Sequence, residues 1–164
     1  MARIREEQYL VPSVLDRLID EEPHKRSEPP KSRTQVLRDL RRSVRRDLER
    51  LLNTRHRCVE WPPDLDQLDA SLVNYGIPDF TGAGMSSPAD REQFRRVVEW
   101  VIRSFEPRFK SVKVELRDDV DTGSRTISFR IDAMLYAEPA PEPIVFDSQL
   151  EPTTGGFQIV SHGR

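Results

Sequence analysis

The sequence contains one cysteine, Cys58, in 164 residues. A single thiol forms no internal disulfide, so nothing points to an oxidising compartment. Histidine is also scarce, with only His24, His56 and His162. His56 and Cys58 stand two apart in Arg55-His56-Arg57-Cys58. Two donors are too few for zinc, and the adjacent arginines repel a cation. No metal and no cofactor are therefore expected. Long apolar runs are missing too. The stretch Val97–Ile102 is broken by Glu99 and falls well short of the roughly 20 residues of a membrane span. The opening MARIREEQYL lacks the apolar centre of a secretory signal. The expectation is a soluble, cytoplasmic chain with no membrane insertion. Neither sign of charge dominates: 26 Lys and Arg stand against 28 Asp and Glu, a net charge of -2, which argues against a dedicated nucleic-acid binder.

Catalytic signatures are absent as well. There is no G-x-S-x-G, no phosphate-binding loop and no dinucleotide fingerprint. Gly82 and Gly84 make only a G-x-G, with no strand before it. Paired carboxylates are the one enzymatic arrangement open to such an acid-rich chain, and a glycosidase needs two of them about 5–10 Å apart across a cleft. Glu106 is the best candidate acid, but Arg108 beside it favours the ionised form and unfits it as a proton donor. The expectation is a non-enzyme.

What is present is 36% hydrophobic residues and a mean hydropathy of -0.65, enough for a modest core. In the first 31 residues, Leu10, Val14, Leu15, Leu18 and Ile19 recur at helical spacing. A charged, proline-rich stretch, EEPHKRSEPPK, follows. Residues 1–31 read as a flexible arm with a short amphipathic segment. That segment either folds back on the core or docks in a partner's groove.

Residues 32–164 read as the folded domain. A helix is predicted from about Thr34, a possible cap, to Asn53, with Val36, Leu37, Leu40, Val44, Leu48, Leu51 and Leu52 on one stripe. A loop over 54–68 and tight bends at Asn74, Gly76 and Pro78 come next. A second helix starts at Ser87-Pro88, buries Phe94, Val97, Val98, Val101, Ile102 and Phe105, and stops at Pro107. The rest alternates as strands: Val112–Leu116, Ile127–Leu135, Ile144–Phe146 and Phe157–Val160. The proline-rich Glu138–Pro143 separates the second and third. The class is α+β, two main helices packed on a small antiparallel sheet, with a flexible N-terminal arm.

Two features invite a partner. Arg38, Arg42, Arg46 and Arg50 are four apart and line one ridge of the first helix. The ridge is either a solvated face or a docking face for an acidic protein; no aromatics interleave with it as nucleic acid would require. The second feature is Glu106-Pro107-Arg108. Proline pushes Glu106 toward extended geometry, and in extended chain residues two apart point the same way. Glu106 and Arg108 then project together from a stiff joint. They form either an exposed ion pair, worth roughly 0–1 kcal/mol to folding, or a charged fork held for another chain.

Five stretches, in order, carry a resemblance: Pro12–Leu18, Val44–Arg55, Ser71–Phe80, Phe105–Arg108, and the closing Phe146-Asp147 with Thr154–Phe157. Together they resemble the TssE-like proteins of type VI secretion systems and, more distantly, the small baseplate-wedge protein of contractile-tail phages. The resemblance implies a structural subunit of a contractile injection machine. It implies assembly with the baseplate proteins TssF, TssG and TssK on the cytoplasmic side of the bacterial inner membrane. It further implies a link to the sheath proteins TssB and TssC, whose subunits join through added strands. By the same resemblance Glu106, Pro107 and Arg108 are assembly contacts. With Leu15 and Leu18 of the arm and Arg42 and Arg46 of the ridge, they make up the expected partner-binding set. Two other roles go with this fold and its history of naming, a regulatory adaptor and a peptidoglycan hydrolase.

Overall fold

The structure is a computed structural model that describes residues 16, 18, 19, 23, 24, 32–56, 62, 64–69, 71–80, 87–117, 126–137, 140–151 and 153–161. Helix α1 (Arg33–Asn53) is capped by Ser32 rather than Thr34. The Ser32 hydroxyl accepts from the Gln35 amide, and Gln35 Oε1 accepts from the Ser32 amide at 2.8 Å. Two otherwise orphaned donors are thereby satisfied reciprocally. The stripe behaves as its period requires: Leu40, Val44, Leu48, Leu51 and Leu52 are buried.

After α1 the chain makes a short parallel bridge between Arg55 and Ile77, held by His56 N–H to Ile77 O (3.1 Å) and Ile77 N–H to Thr54 O (2.9 Å). Gly76 makes the approach possible. Its φ is +116°, and a Cβ there would lie 2.4 Å from Thr54 O. Between the bridge strands lie two 3₁₀ turns, Asp66–Leu68 and Leu72–Asn74.

Helix α2 (Pro88–Phe105) is built as its sequence predicts. Ser87 accepts from the Asp90 amide, Pro88 opens the first turn, and Phe94, Val98, Val101 and Ile102 are buried. Among the described residues no helix is long and apolar enough to cross a membrane.

Four strands follow, β1 (Phe109–Arg117), β2 (Ile127–Leu135), β3 (Glu142–Glu151) and β4 (Gly156–Ser161), paired in sequence order as an antiparallel meander. Both helices lie on one face, α2 along β1 and α1 along β4. That face supplies Val112, Val114, Phe129, Ile131, Ala133, Phe146, Phe157 and Ile159 to the core. Phe94 sits at its centre, edge-on to Phe129 at 5.9 Å and stacked on Phe157 at 6.3 Å. The opposite face carries ion pairs such as Lys113–Glu115 and Arg130–Asp132, the one-sided pattern of an antiparallel sheet with a solvated face.

Strand β3 is longer than the Ile144–Phe146 of the sequence pattern, because the inward positions continue through Ser148 and Leu150. Its Pro143 pairs with Met134 of β2. Phe157 of β4 points its backbone away from β3, toward Asn53. Alternation along the ladder then turns the nitrogen of Pro143 away from β2. No described strand lies on that side of β3 before Phe146, so the missing donor breaks no ladder bond.

Candidate functional site at the helix–strand joint

Helix α2 ends at Glu106, whose N–H still bonds Ile102 O at 2.9 Å while its own φ and ψ of -117° and 83° leave the helix. Pro107 forbids another helical turn. The carbonyl of Glu106 then accepts from Phe109 N–H at 3.2 Å, which makes the joint a tight turn rather than the extended stretch expected. The turn nevertheless brings the two charges together. Arg108 Nε donates to Glu106 Oε1 at 2.6 Å and Nη2 to Oε2 at 2.5 Å, a bidentate fork. The backbone N–H of Arg108 adds a third bond to the carboxylate at 3.2 Å.

The larger departure concerns exposure. The Glu106 side chain is only 6% exposed and that of Arg108 22%, so a buried carboxylate meets a half-buried guanidinium and this is not a surface pair. Burial comes from α1, which lays Ser43 and Asp47 over the joint. Arg108 Nη2 also reaches Asp47 Oδ2 at 2.8 Å, and Nη1 reaches Ser43 Oγ at 3.2 Å. Asp16 of the arm completes the cluster by pairing with Ser43 and Arg46. Three parts of the chain therefore meet in one charged network.

The electrostatics follow from the geometry. Burial opposes the charge of Arg108, but its bonds to Glu106 and then Asp47 outweigh that and raise its pKa. Arg46 is raised chiefly by its hydrogen bond to Asp16. Burial first, then the charges of Asp47 and Glu106, push the Tyr75 hydroxyl up from its ordinary value. Tyr75 meets Phe105 edge-on at 5.4 Å. With Leu51, Pro107 and the charged trio of Asp47, Glu106 and Arg108, these two rings line an open hollow of about 380 Å³.

Of the residues the sequence singles out, Glu106, Arg108 and Arg46 fall in this network, and Pro107 is exposed at its rim. Arg42 is exposed on α1, and Leu18 is 76% exposed. Leu15 lies outside the described residues. The sequence reading missed Ser43, Asp47, Asp16 and Tyr75. The signal for the first two was a polar pair at i and i+4 flanking an apolar stripe. Among the described residues no three His, Cys, Asp or Glu side chains group as metal ligands would.

Both sheet edges are also served by side chains. On β4, the Asn53 amide accepts from Phe157 N–H at 2.9 Å and donates to Phe157 O at 3.0 Å, imitating one residue of a neighbouring strand. On β1, helix α2 plays the corresponding part.

Two helices layered on one face of a four-stranded meander, bound at the joint by buried charge, define a small α+β scaffold whose most developed features are contacts and edges. Residues 38–140, well over half the chain, match the family described as baseplate wedge protein gp25, and the chain belongs to that family. It is a family of structural baseplate components, and TssE is its type VI homologue. No curated protein matches the chain.

Proposed function

We propose that this chain is the TssE-type subunit of a type VI secretion baseplate, a non-enzymatic part of the wedge that connects the baseplate to the contractile sheath. The observation that carries the reading is the family match over residues 38–140, which runs from α1 through the joint to the end of β2. Its partners on this reading are TssF, TssG and TssK in the baseplate and TssB and TssC in the sheath. It works in the cytoplasm, at the inner face of the bacterial inner membrane.

The geometry supports a division of labour. The joint offers Pro107 and the hollow walled by Tyr75 and Phe105 to a baseplate partner, on a turn stiffened by the Glu106–Arg108 fork. On this reading Arg46, bonded to Asp47, and the exposed Arg42 of α1 add to the surface, with Leu15 and Leu18 of the N-terminal segment. The sheath would engage β4. Alternation from Phe157 turns the backbone groups of Ile159 and Ser161 outward, and no described residue bonds them there. A partner's extended segment fits that edge by strand addition. Hydrolysis of cell wall is disfavoured because the Glu106 carboxylate already accepts three bonds from Arg108.

Co-expression with TssF and TssG tests the reading. The chain should co-purify with both, and Arg42→Glu and Leu18→Asp, each at an exposed position, should reduce recovery while leaving the melting temperature unchanged. Failure of the wild-type chain to co-purify with either protein would overturn it. The purified protein should leave peptidoglycan turbidity unchanged relative to buffer.

A further inference from the structure

Edge strands carry unpaired backbone groups that attract other strands, and proteins have to blunt them. Strand β1 is one edge of this sheet. Its register shifts between Phe109 and Ser111, leaving Lys110 out of the Cα pairing. Beyond the shift, three side chains of α2 reach across to its outward groups. Val114 N–H donates to Glu99 Oε2 at 3.1 Å, Val112 O accepts from Arg103 at 3.1 Å, and Val114 O accepts from Arg95 at 3.4 Å. Glu99 also holds both arginines, at 2.9 Å and 3.1 Å. The carboxylate is therefore fixed in place, and its side chain is 20% exposed.

The capped strand is self-complementary about the residue that is capped. In an antiparallel pairing of β1 with β1 of a second copy, centred on Val114, the two Val114 residues exchange both bonds. Val112 then faces Leu116, and Lys113 faces Glu115 in both directions. Lys113 and Glu115 are 70% and 48% exposed on the solvated face of the sheet, where opposite charges directly across a ladder are favourable.

We propose that Glu99, with Arg95 and Arg103, is a lock that closes the β1 edge against a second copy of this chain. Among the described residues, that leaves β4, at Ile159 and Ser161, as the edge whose outward backbone groups no side chain bonds. The inference does not depend on which baseplate or sheath proteins bind.

Two measurements test it. In the wild-type chain, the Val114 amide should exchange about tenfold or more slowly than Leu116, the next outward amide on β1, because Val114 is bonded to a charged acceptor while no described residue bonds the Leu116 amide. Equal rates for the two would overturn the proposal, whatever any variant does. In Glu99→Ala/Arg103→Ala, sedimentation velocity should show a concentration-dependent dimer, with β1 amides protected within it. Adding Lys113→Glu, which sets like charges opposite Glu115 across the two-fold, should return it to monomer. A folded double variant that stays monomeric, or a dimer indifferent to Lys113→Glu, would also overturn it.

Discussion

Replacing Arg108 with alanine removes four side-chain hydrogen bonds at once, two to Glu106 and one each to Asp47 and Ser43. What matters is the carboxylate left behind. Glu106 is 6% exposed, and in the variant it keeps, among the described residues, only the backbone N–H of residue 108. Removing one partner of a buried pair costs about 3–5 kcal/mol, because the remaining charge is uncompensated. Asp47 is 25% exposed and retains Arg46 at 3.5 Å, so it rehydrates and adds little. The total falls at the lower end, about 3 kcal/mol. For a chain of this length that is a drop of about 6–12 °C in melting temperature, readable by circular dichroism. Two further variants separate charge from packing. Glu106→Gln/Arg108→Ala removes the orphaned charge and should recover about half the loss, a coupling within the usual range for contacting residues. Arg108→Lys keeps the charge without the planar fork and should fall between. A melting temperature for Arg108→Ala within about 2 °C of wild type, or a double variant no better than the sum of the singles, would refute the reasoning.

Gly76→Ala places a Cβ 2.4 Å from Thr54 O at a φ of +116°; it should break the Arg55–Ile77 bridge and lower soluble yield and melting temperature sharply. Ser148 is 1% exposed, and its hydroxyl has no hydrogen-bond partner among the described residues; Ser148→Ala should raise stability by up to about 1 kcal/mol, seen as an increase in melting temperature. Bonds from Arg95 and then Arg96 pull Glu92 from its ordinary 4.5 to about 2. A depressed carboxylate stabilises the fold above its unfolded value and loses that contribution as pH falls through the folded one. Glu92→Gln should therefore flatten the change of melting temperature between pH 4.5 and pH 2, less so at high salt.

Helix α2 was legible from end to end, because each of its signals is local. Ser87 and Pro88 open it, one apolar stripe fills it, and Pro107 closes it. The cap of α1 lies two residues before Thr34, at Ser32. Thr34 was the hydroxyl nearest the stripe, but Gln35 stands three residues after Ser32 and makes the capping box there. Strand β3 was cut short because its inward position 148 is a serine, which interrupts an apolar alternation the backbone continues through. At the joint, the meeting of Glu106 with Arg108 was readable from two residues and a proline. Its burial was not. Ser43 and Asp47 lie 65 and 61 residues from Arg108 in sequence, and only the packing of α1 over the joint shows that they cover it.

The joint and the edges obey one rule, which is that a helix satisfies the backbone or charge nearest to it. Helix α1 lies on β4 and closes that edge at Phe157 through Asn53, its own last residue. Helix α2 lies on β1 and closes that edge in mid-helix, through Arg95, Glu99 and Arg103. The difference between the edges is thus one of position along the helix. A residue at a helix end reaches one residue of its neighbouring strand, whereas three residues spaced by four along a helix face can follow a strand for several. That leaves Ile159 and Ser161 as the outward backbone of β4 with no bond from a described residue. On the family reading, that is the edge a sheath strand would extend. The same packing that buries Glu106 under α1 therefore also sets how far along β4 the described residues cap the edge.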